Sequence, residues 1–395
     1  MTFSKFTPPR LRTLEQEGHR SATWLELFYD LAFVVAVAVL ADRLLADLGN
    51  TAAYFGYFAL LWWLWVSHTY YADRYDTDDV VYRLLAAAQM IAIVVIAASL
   101  TGTTSSTTAF AIGYAFARWV LVVMYARAYR HVGETRQLVR GYLVGFGSAA
   151  AVWTASAVVP ESARVIMWSI ALVIDLATPW VLRRVQARVP LDLSHLPERF
   201  GLFTILVLGE AISAVVIALS HGPWSAVPVI SAGVAIAIAT AVWWLYFDNV
   251  SGAVVRRSPT ITRTWRPTAW IYSHLPLATS LAALGVALEL AILDAHLESM
   301  PHDHRWFLVG STAVAFLCMA VIQFSSLAAG PTPGGRDITI NRLAGIPFLI
   351  LIGFLGTTSA VWVVIGVLGV CVAEVVADFS AAERDSMAFE VNTDD

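Results

Sequence analysis

The chain has 395 residues, 58% of them apolar, with a mean hydropathy of +0.68 and a formal net charge of −4. Only 14% are charged, against about 25% in an ordinary soluble domain. This excludes a soluble domain and a nucleic-acid partner, and points to an all-α integral membrane protein.

Residues 1–21 are polar and basic, with Lys5, Arg10, Arg12 and Arg20. No short apolar region with a small-residue cleavage site precedes the first long apolar stretch, so no cleaved signal peptide is expected. A membrane span takes about 20 mostly apolar residues to cross about 30 Å of hydrocarbon. By that rule the chain holds about twelve transmembrane helices: 22–45, 51–71, 81–101, 108–129, 138–159, 163–183, 199–220, 225–247, 268–291, 305–327, 342–357 and 359–378. Residues 343–377 are continuously apolar and are split at Gly356-Thr-Thr-Ser359; one long helix there would leave eleven. Cys318 and Cys371 both fall in apolar segments, so no disulfide framework is expected.

With the N-terminus inside, 21 of the 25 lysines and arginines fall on inner segments. Arg43, Arg164 and Arg305 fall outside, and Arg118 lies within a span. This asymmetry predicts both termini in the cytoplasm. The expected division is a cytoplasmic segment 1–21, a first six-helix half 22–183, a cytoplasmic linker 184–198, a second six-helix half 199–378 and an acidic tail 379–395, disordered from about Ala381. Dipeptides recur six spans apart: Trp62-Trp63 with Trp243-Trp244, and Arg118-Trp119 with Arg305-Trp306. Glu26-Leu-Phe28 and Glu198-Arg-Phe200 open spans 1 and 7. Six is even, so such halves would be parallel repeats.

The stretches Glu26-Leu-Phe-Tyr-Asp30, Tyr71-Ala-Asp-Arg-Tyr-Asp-Thr-Asp-Asp79 and His195-Leu-Pro-Glu-Arg-Phe-Gly-Leu-Phe-Thr-Ile-Leu-Val-Leu-Gly-Glu210 resemble the bacterial low temperature requirement protein A family. Trp243-Trp-Leu-Tyr-Phe-Asp248 and Tyr272-Ser-His274 fit the same resemblance, which covers nearly the whole chain. It implies a multi-pass protein of the bacterial cell (inner) membrane, linked to growth in the cold. It implies no molecular activity, so mechanism is read from the residues.

Ionisable groups at membrane depth are expensive and normally face a bundle interior. Glu26 and Asp30 lie one turn apart on the inner third of span 1. His68, Glu198, Asp248 and His274 fall near the same inner level on spans 2, 7, 8 and 9. Glu210 lies roughly 18 Å further along span 7, near the midplane, as do Arg118 and Asp175. The leading reading is a polar cavity open to the cytoplasm and floored by Glu210, suited to proton coupling or cation coordination. Against it stands a packing role, with Arg118 paired to Asp175 or Glu210.

The inner loop with Asp73, Asp76, Asp78 and Asp79 lacks the glycine and terminal glutamate of a calcium loop. It reads first as solvated, second as a cation site or gate. His296, His302 and His304 are weak zinc candidates on an outer loop without cysteine. No metal or cofactor is expected beyond a proton or monovalent cation. Trp24, Trp180, Trp224, Trp265, Trp270 and Trp306 sit near span ends, where indoles prefer the headgroup level. Tyr246 and Tyr272 read as interfacial anchors, and Trp62, Trp63, Trp243 and Trp244 as packing or lipid-facing groups with cavity lining second.

Three function classes follow. A secondary transporter fits twelve spans and midplane acids. The single lysine, Lys5, leaves no Walker A pattern, so a proton or sodium gradient would drive it. An intramembrane enzyme acting on a lipid or lipid-linked group would use Glu26, Asp30, His68 and His274 for acid–base work. A sensor or assembly factor needs no turnover. Beyond the lipid bilayer, the expected partner is an unidentified small molecule or lipid.

Overall fold

The computed structural model describes residues 7–11, 22–76, 78–101, 106–189, 195–221, 224–249, 266–326 and 335–393. The chain runs β1 Arg10–Leu11, α1 Trp24–Ala46, α2 Thr51–Arg74, β2 Tyr75–Asp76, α3 Val80–Ser99, α4 Thr107–His131, α5 Arg136–Ser156 and α6 Glu161–Val181. It continues through the short α7 Arg183–Gln186 to α8 His195–His221, α9 Ala226–Asn249, α10 Arg266–Leu293, α11 His302–Ser326, α12 Gly335–Gly353 and α13 Ala360–Thr393. It is an all-α membrane protein: among the described residues, nine helices are long and apolar enough to cross a bilayer. These are α1, α3, α4, α6, α8, α9, α10, α11 and α13. Helices α2, α5 and α12 occupy the other predicted segments but carry more polar and charged residues, such as His68, Asp73 and Arg74 on α2.

The apolar run 343–377 is broken, because α12 ends at Gly353 and α13 starts at Ala360. A Cβ on Gly353 would stand 2.9 Å from the Trp306 ring, so the end of α12 is pressed against α11. The tail expected to be disordered is instead helical through Thr393. Its Ala381-Ala-Glu-Arg start is rich in strong helix formers.

The chain divides into two compact units, one of residues 1–43 and 52–199, the other of 44–51 and 200–395. In the first, α3 packs on α4, α4 on α5 and α5 on α6. Its interior helix is α2, with Phe58, Trp62, Trp63, Trp65 and Tyr71 all buried. That burial explains why α2 tolerates polar groups: they meet protein rather than lipid. Tyr114, Trp153 and Trp168 stack in series, at centroid distances of 4.0 and 5.4 Å. Helices α5 and α6 approach so closely at Gly145 that a Cβ there would lie 2.2 Å from Thr178 Oγ1. Strand β1 pairs antiparallel with β2, Arg10 opposite Asp76, tying the N-terminal segment to the end of α2.

In the second unit α10 packs on α11, α11 on α12, α12 on α13 and α13 on α9. Its interior helix is α10, buried without a break from Leu277 to Ala291. Gly285 of α10 admits the Ala211 backbone of α8, which a Cβ would meet at 3.2 Å.

The two Trp-Trp dipeptides that suggested a repeat do not share an environment. Trp62 and Trp63 are 1% exposed, whereas Trp243 and Trp244 are 42% and 39% exposed. Trp24, Trp180 and Trp224 are exposed, but Trp270 is buried against Phe200 and His274 rather than held at a surface. Trp265 lies outside the described residues.

Arg43, Arg164 and Arg305, the exceptions in the charge count, each donate to carbonyls at a helix C-terminus. Arg43 reaches Leu100 O beyond α3 at 2.8 Å. Arg164 reaches Ser156 O and Val159 O beyond α5, both at 3.0 Å. Arg305 reaches Gly353 O at 3.0 Å and Gly356 O at 2.9 Å at the end of α12. These carbonyls have no partner within their helix, and a cation there also meets the negative end of the helix dipole.

Candidate functional site

In the first unit, the start of α1 and the start of α8 meet through two matched i, i+4 pairs. Thr23 and Glu26 form a reciprocal cap: the Glu26 N–H donates to Thr23 Oγ1 at 3.3 Å, and Glu26 Oε2 accepts the Thr23 N–H at 2.7 Å. The same Oε2 lies 3.5 Å from His195 Nε2. His195 Nδ1 stands 3.2 Å from Asp73 Oδ1, so the imidazole is held between two carboxylates. One turn along, Arg199 Nη2 donates to Asp30 Oδ1 at 2.7 Å. Trp65 Nε1 donates to the same oxygen at 2.8 Å. Residues four apart share a helix face, so Glu26 with Asp30 meets His195 with Arg199 in register.

All five groups, Glu26, Asp30, Asp73, His195 and Arg199, are at most 1% exposed. Three are acids and one is a permanent cation, and His195 adds a second positive charge when protonated. Among the described residues Asp30 Oδ2 and Arg199 Nε and Nη1 have no hydrogen-bond partner. Glu198 lies at the edge, its Oε1 accepting the Ala22 N–H at 3.1 Å.

His68 lies elsewhere in the unit as a saturated node. Its Nδ1 is 2.7 Å from Gln89 Oε1 and its Nε2 is 3.2 Å from the Tyr82 hydroxyl. Gln89 spends its Nε2 on Ala117 O at 3.1 Å, so its oxygen accepts from His68 Nδ1–H and Tyr82 donates to Nε2. Tyr29 stacks on the imidazole at 3.9 Å. Arg118 forms a fully buried ion pair with Asp175, donates to Ser67 Oγ at 3.0 Å and covers the Phe146 ring at 4.8 Å.

The acidic stretch is not solvated throughout. Asp73 is buried against His195, and Asp79 is 1% exposed. Asp79 caps the Tyr82 N–H of α3 at 3.0 Å and pairs with Arg127. Asp78 remains exposed and pairs with Arg83, while Asp76 joins β2 through its backbone. The β1–β2 ribbon and the link from Arg127 to Thr7 O at 2.7 Å fold this stretch inward.

In the second unit the Trp270 carbonyl takes His274 Nδ1 at 2.7 Å and the Tyr246 hydroxyl meets Nε2 at 3.0 Å. Tyr246 is therefore a buried partner of His274 rather than an interfacial anchor. Glu210 is 9% exposed. Asp248 is exposed at the end of α9, bonded to Trp244 one turn back. Arg342 is wholly buried between Glu374, at 3.0 Å, and Asp378. His296 is exposed, His302 pairs with Asp303 at 3.2 Å and His304 with Asp294 at 2.6 Å. Among the described residues no group of three or more His, Cys, Asp or Glu is placed to hold a metal ion.

The geometry thus gathers Glu26 and Asp30 with Asp73 of the acidic loop and with two residues outside the expected set, His195 and Arg199. Residues 21–380 match the family model described as bacterial low temperature requirement A protein (LtrA). The chain belongs to that family. The matched region contains the entire cluster. The chain is also similar to an uncharacterized protein, RA0937, of Rhizobium meliloti (strain 1021), at 25% identity over 300 residues, covering 70% of this chain and 71% of the relative. No solved structure matches the chain.

Proposed function

We propose that this LtrA-family protein is a proton- or cation-coupled secondary transporter of the bacterial cell membrane that serves growth at low temperature. In this reading it crosses the bilayer twelve times, with both termini in the cytoplasm. His195, between Glu26 and Asp73, carries the coupling proton, and Asp30 with Arg199 responds to it. The observation that supports this most is the setting of His195, buried with one ring nitrogen 3.5 Å from the Glu26 carboxylate and the other 3.2 Å from that of Asp73. Removing one charge from a buried pair strands its partner at a cost of several kcal/mol, so loss of the His195 proton would favour entry of another cation or movement of the helices. Capping of Arg43, Arg164 and Arg305 onto helix ends supports the orientation, because the exceptions to the charge asymmetry have local structural partners.

A second reading, an enzyme acting on a lipid or lipid-linked group, is favoured by the position of the cluster at helix ends. Glu26 is in the first turn of α1, Asp73 in the last turn of α2, and His195 opens α8. That level is where headgroups lie.

The test is complementation of a deletion strain in the cold with His195→Gln and Asp30→Asn, each at wild-type membrane abundance. The transporter reading expects both to fail to restore growth without changing the lipid composition. A lipid species restored by the wild type and not by the variants would favour the enzyme. Full rescue by His195→Gln would remove the cluster from either mechanism.

A further inference from the structure

Arg74 closes α2, one residue beyond Asp73, and is 2% exposed. Its Nε and Nη1 are buried without a hydrogen-bond partner among the described residues. None of the first unit's ion pairs among those residues includes it. The nearby carboxylates are already matched: Asp73 to His195, Asp78 to Arg83 and Asp79 to Arg127.

What surrounds Arg74 is phenol. Its guanidinium is hydrogen-bonded to the Tyr142 hydroxyl, and its carbon stands 5.8 Å from the centroid of that ring. Tyr125 packs 5.0 Å from Tyr142, 5.2 Å from Tyr71 and 6.4 Å from Tyr75. All four rings are buried. A ring face attracts a cation only weakly compared with water, and the α2 C-terminus offers at most about half a charge. A guanidinium taken out of water with no full countercharge is therefore left under-compensated.

We propose that Arg74 and its tyrosine cage form a binding site for one phosphate group, carried by a lipid headgroup or free in solution. The guanidinium offers an open donor at Nε or Nη1, and the Tyr142 hydroxyl, which accepts from Arg74, keeps its own hydrogen to donate. A tetrahedral phosphate meets donors from several directions, which a planar carboxylate does not. This site prefers an anion, whereas the His195 cluster is proposed to carry a proton, so it goes beyond the coupling role proposed above.

The test uses the purified full chain in phosphate-free detergent and in nanodiscs of phosphatidylcholine with or without phosphatidylglycerol. The melting midpoint is followed as inorganic phosphate replaces chloride at constant ionic strength, and native mass spectrometry reads retained phosphatidylglycerol. A saturable rise of about 3 °C or more is expected for a ligand well above its dissociation constant. A rise with inorganic phosphate identifies free phosphate, and a rise with retained lipid only in phosphatidylglycerol identifies a headgroup. Arg74→Met, which removes the charge at similar volume, should melt no lower than wild type without the anion and should lose the rise. Should that variant not fold, Tyr142→Phe is expected to weaken binding about tenfold, equivalent to one lost hydrogen bond, and unchanged affinity would overturn the site. It is equally overturned by no rise with either probe, or by an equal rise in Arg74→Met.

Discussion

Arg199 and Asp30, 169 residues apart in sequence, form an ion pair of 2.7 Å with neither side chain exposed to solvent. Removing one partner of such a pair strands the other charge. Arg199→Ala is predicted to cost about 3–5 kcal/mol, read as a lowered melting midpoint and reduced membrane abundance. The double variant Arg199→Met with Asp30→Leu should recover most of that loss. If the single variant melts like wild type, the pair does not hold these helices.

Glu26 has two roles that one substitution separates. Its carboxylate caps Thr23 and also faces His195. Glutamine serves the same position of a capping box. Glu26→Gln should therefore change stability by less than about 1 kcal/mol while abolishing function in the cold. Glu26→Ala should lose about 1 kcal/mol through the cap as well. Thermal melts paired with growth curves distinguish them, and full activity in Glu26→Gln would assign the residue to capping alone.

Much of the architecture was legible because span length and apolarity are local properties, and the break between α12 and α13 falls at the Gly356–Ser359 signal. The polar cluster was only half legible. Glu26 and Asp30 stood out by sharing a face within an apolar segment. His195 lay in what read as a linker, Asp73 in what read as a solvated loop, and Arg199 in a count of inner charges. Their contacts span 122 to 169 residues of sequence, and no periodicity encodes such distances. The missing signal was charge balance: a buried Asp30 requires a cation, and Arg199 stands within the same motif that suggested the family.

Arg305 is predicted to act on stability rather than on membrane orientation. It serves the carbonyls of Gly353 and Gly356 together. Arg305→Gln should cost about 1–3 kcal/mol, chiefly by leaving the buried Gly353 carbonyl without its Arg305 donor. A reporter fused to the C-terminus should show the same sidedness as wild type. An inverted reporter would mean that this arginine steers topology.

Gly145 tests the α5–α6 contact. A methyl group there would overlap Thr178, whose Cβ is 2.9 Å from the position of the new atom. Gly145→Ala should cost about 1–3 kcal/mol through overpacking. Adding Thr178→Ala should relieve most of that cost. Equal melting of Gly145→Ala and wild type would show that these helices separate freely.

The most direct test of the coupling role is internal pH in proteoliposomes carrying a trapped pH dye. Sodium, potassium or pooled cell-extract solutes are imposed as a gradient across the bilayer. Wild-type protein should move protons in response to at least one gradient, faster than empty liposomes. His195→Gln, reconstituted at equal density, should match the empty liposomes. Proton flux in His195→Gln equal to wild type, or wild-type flux no greater than that of empty liposomes under every gradient, would contradict it.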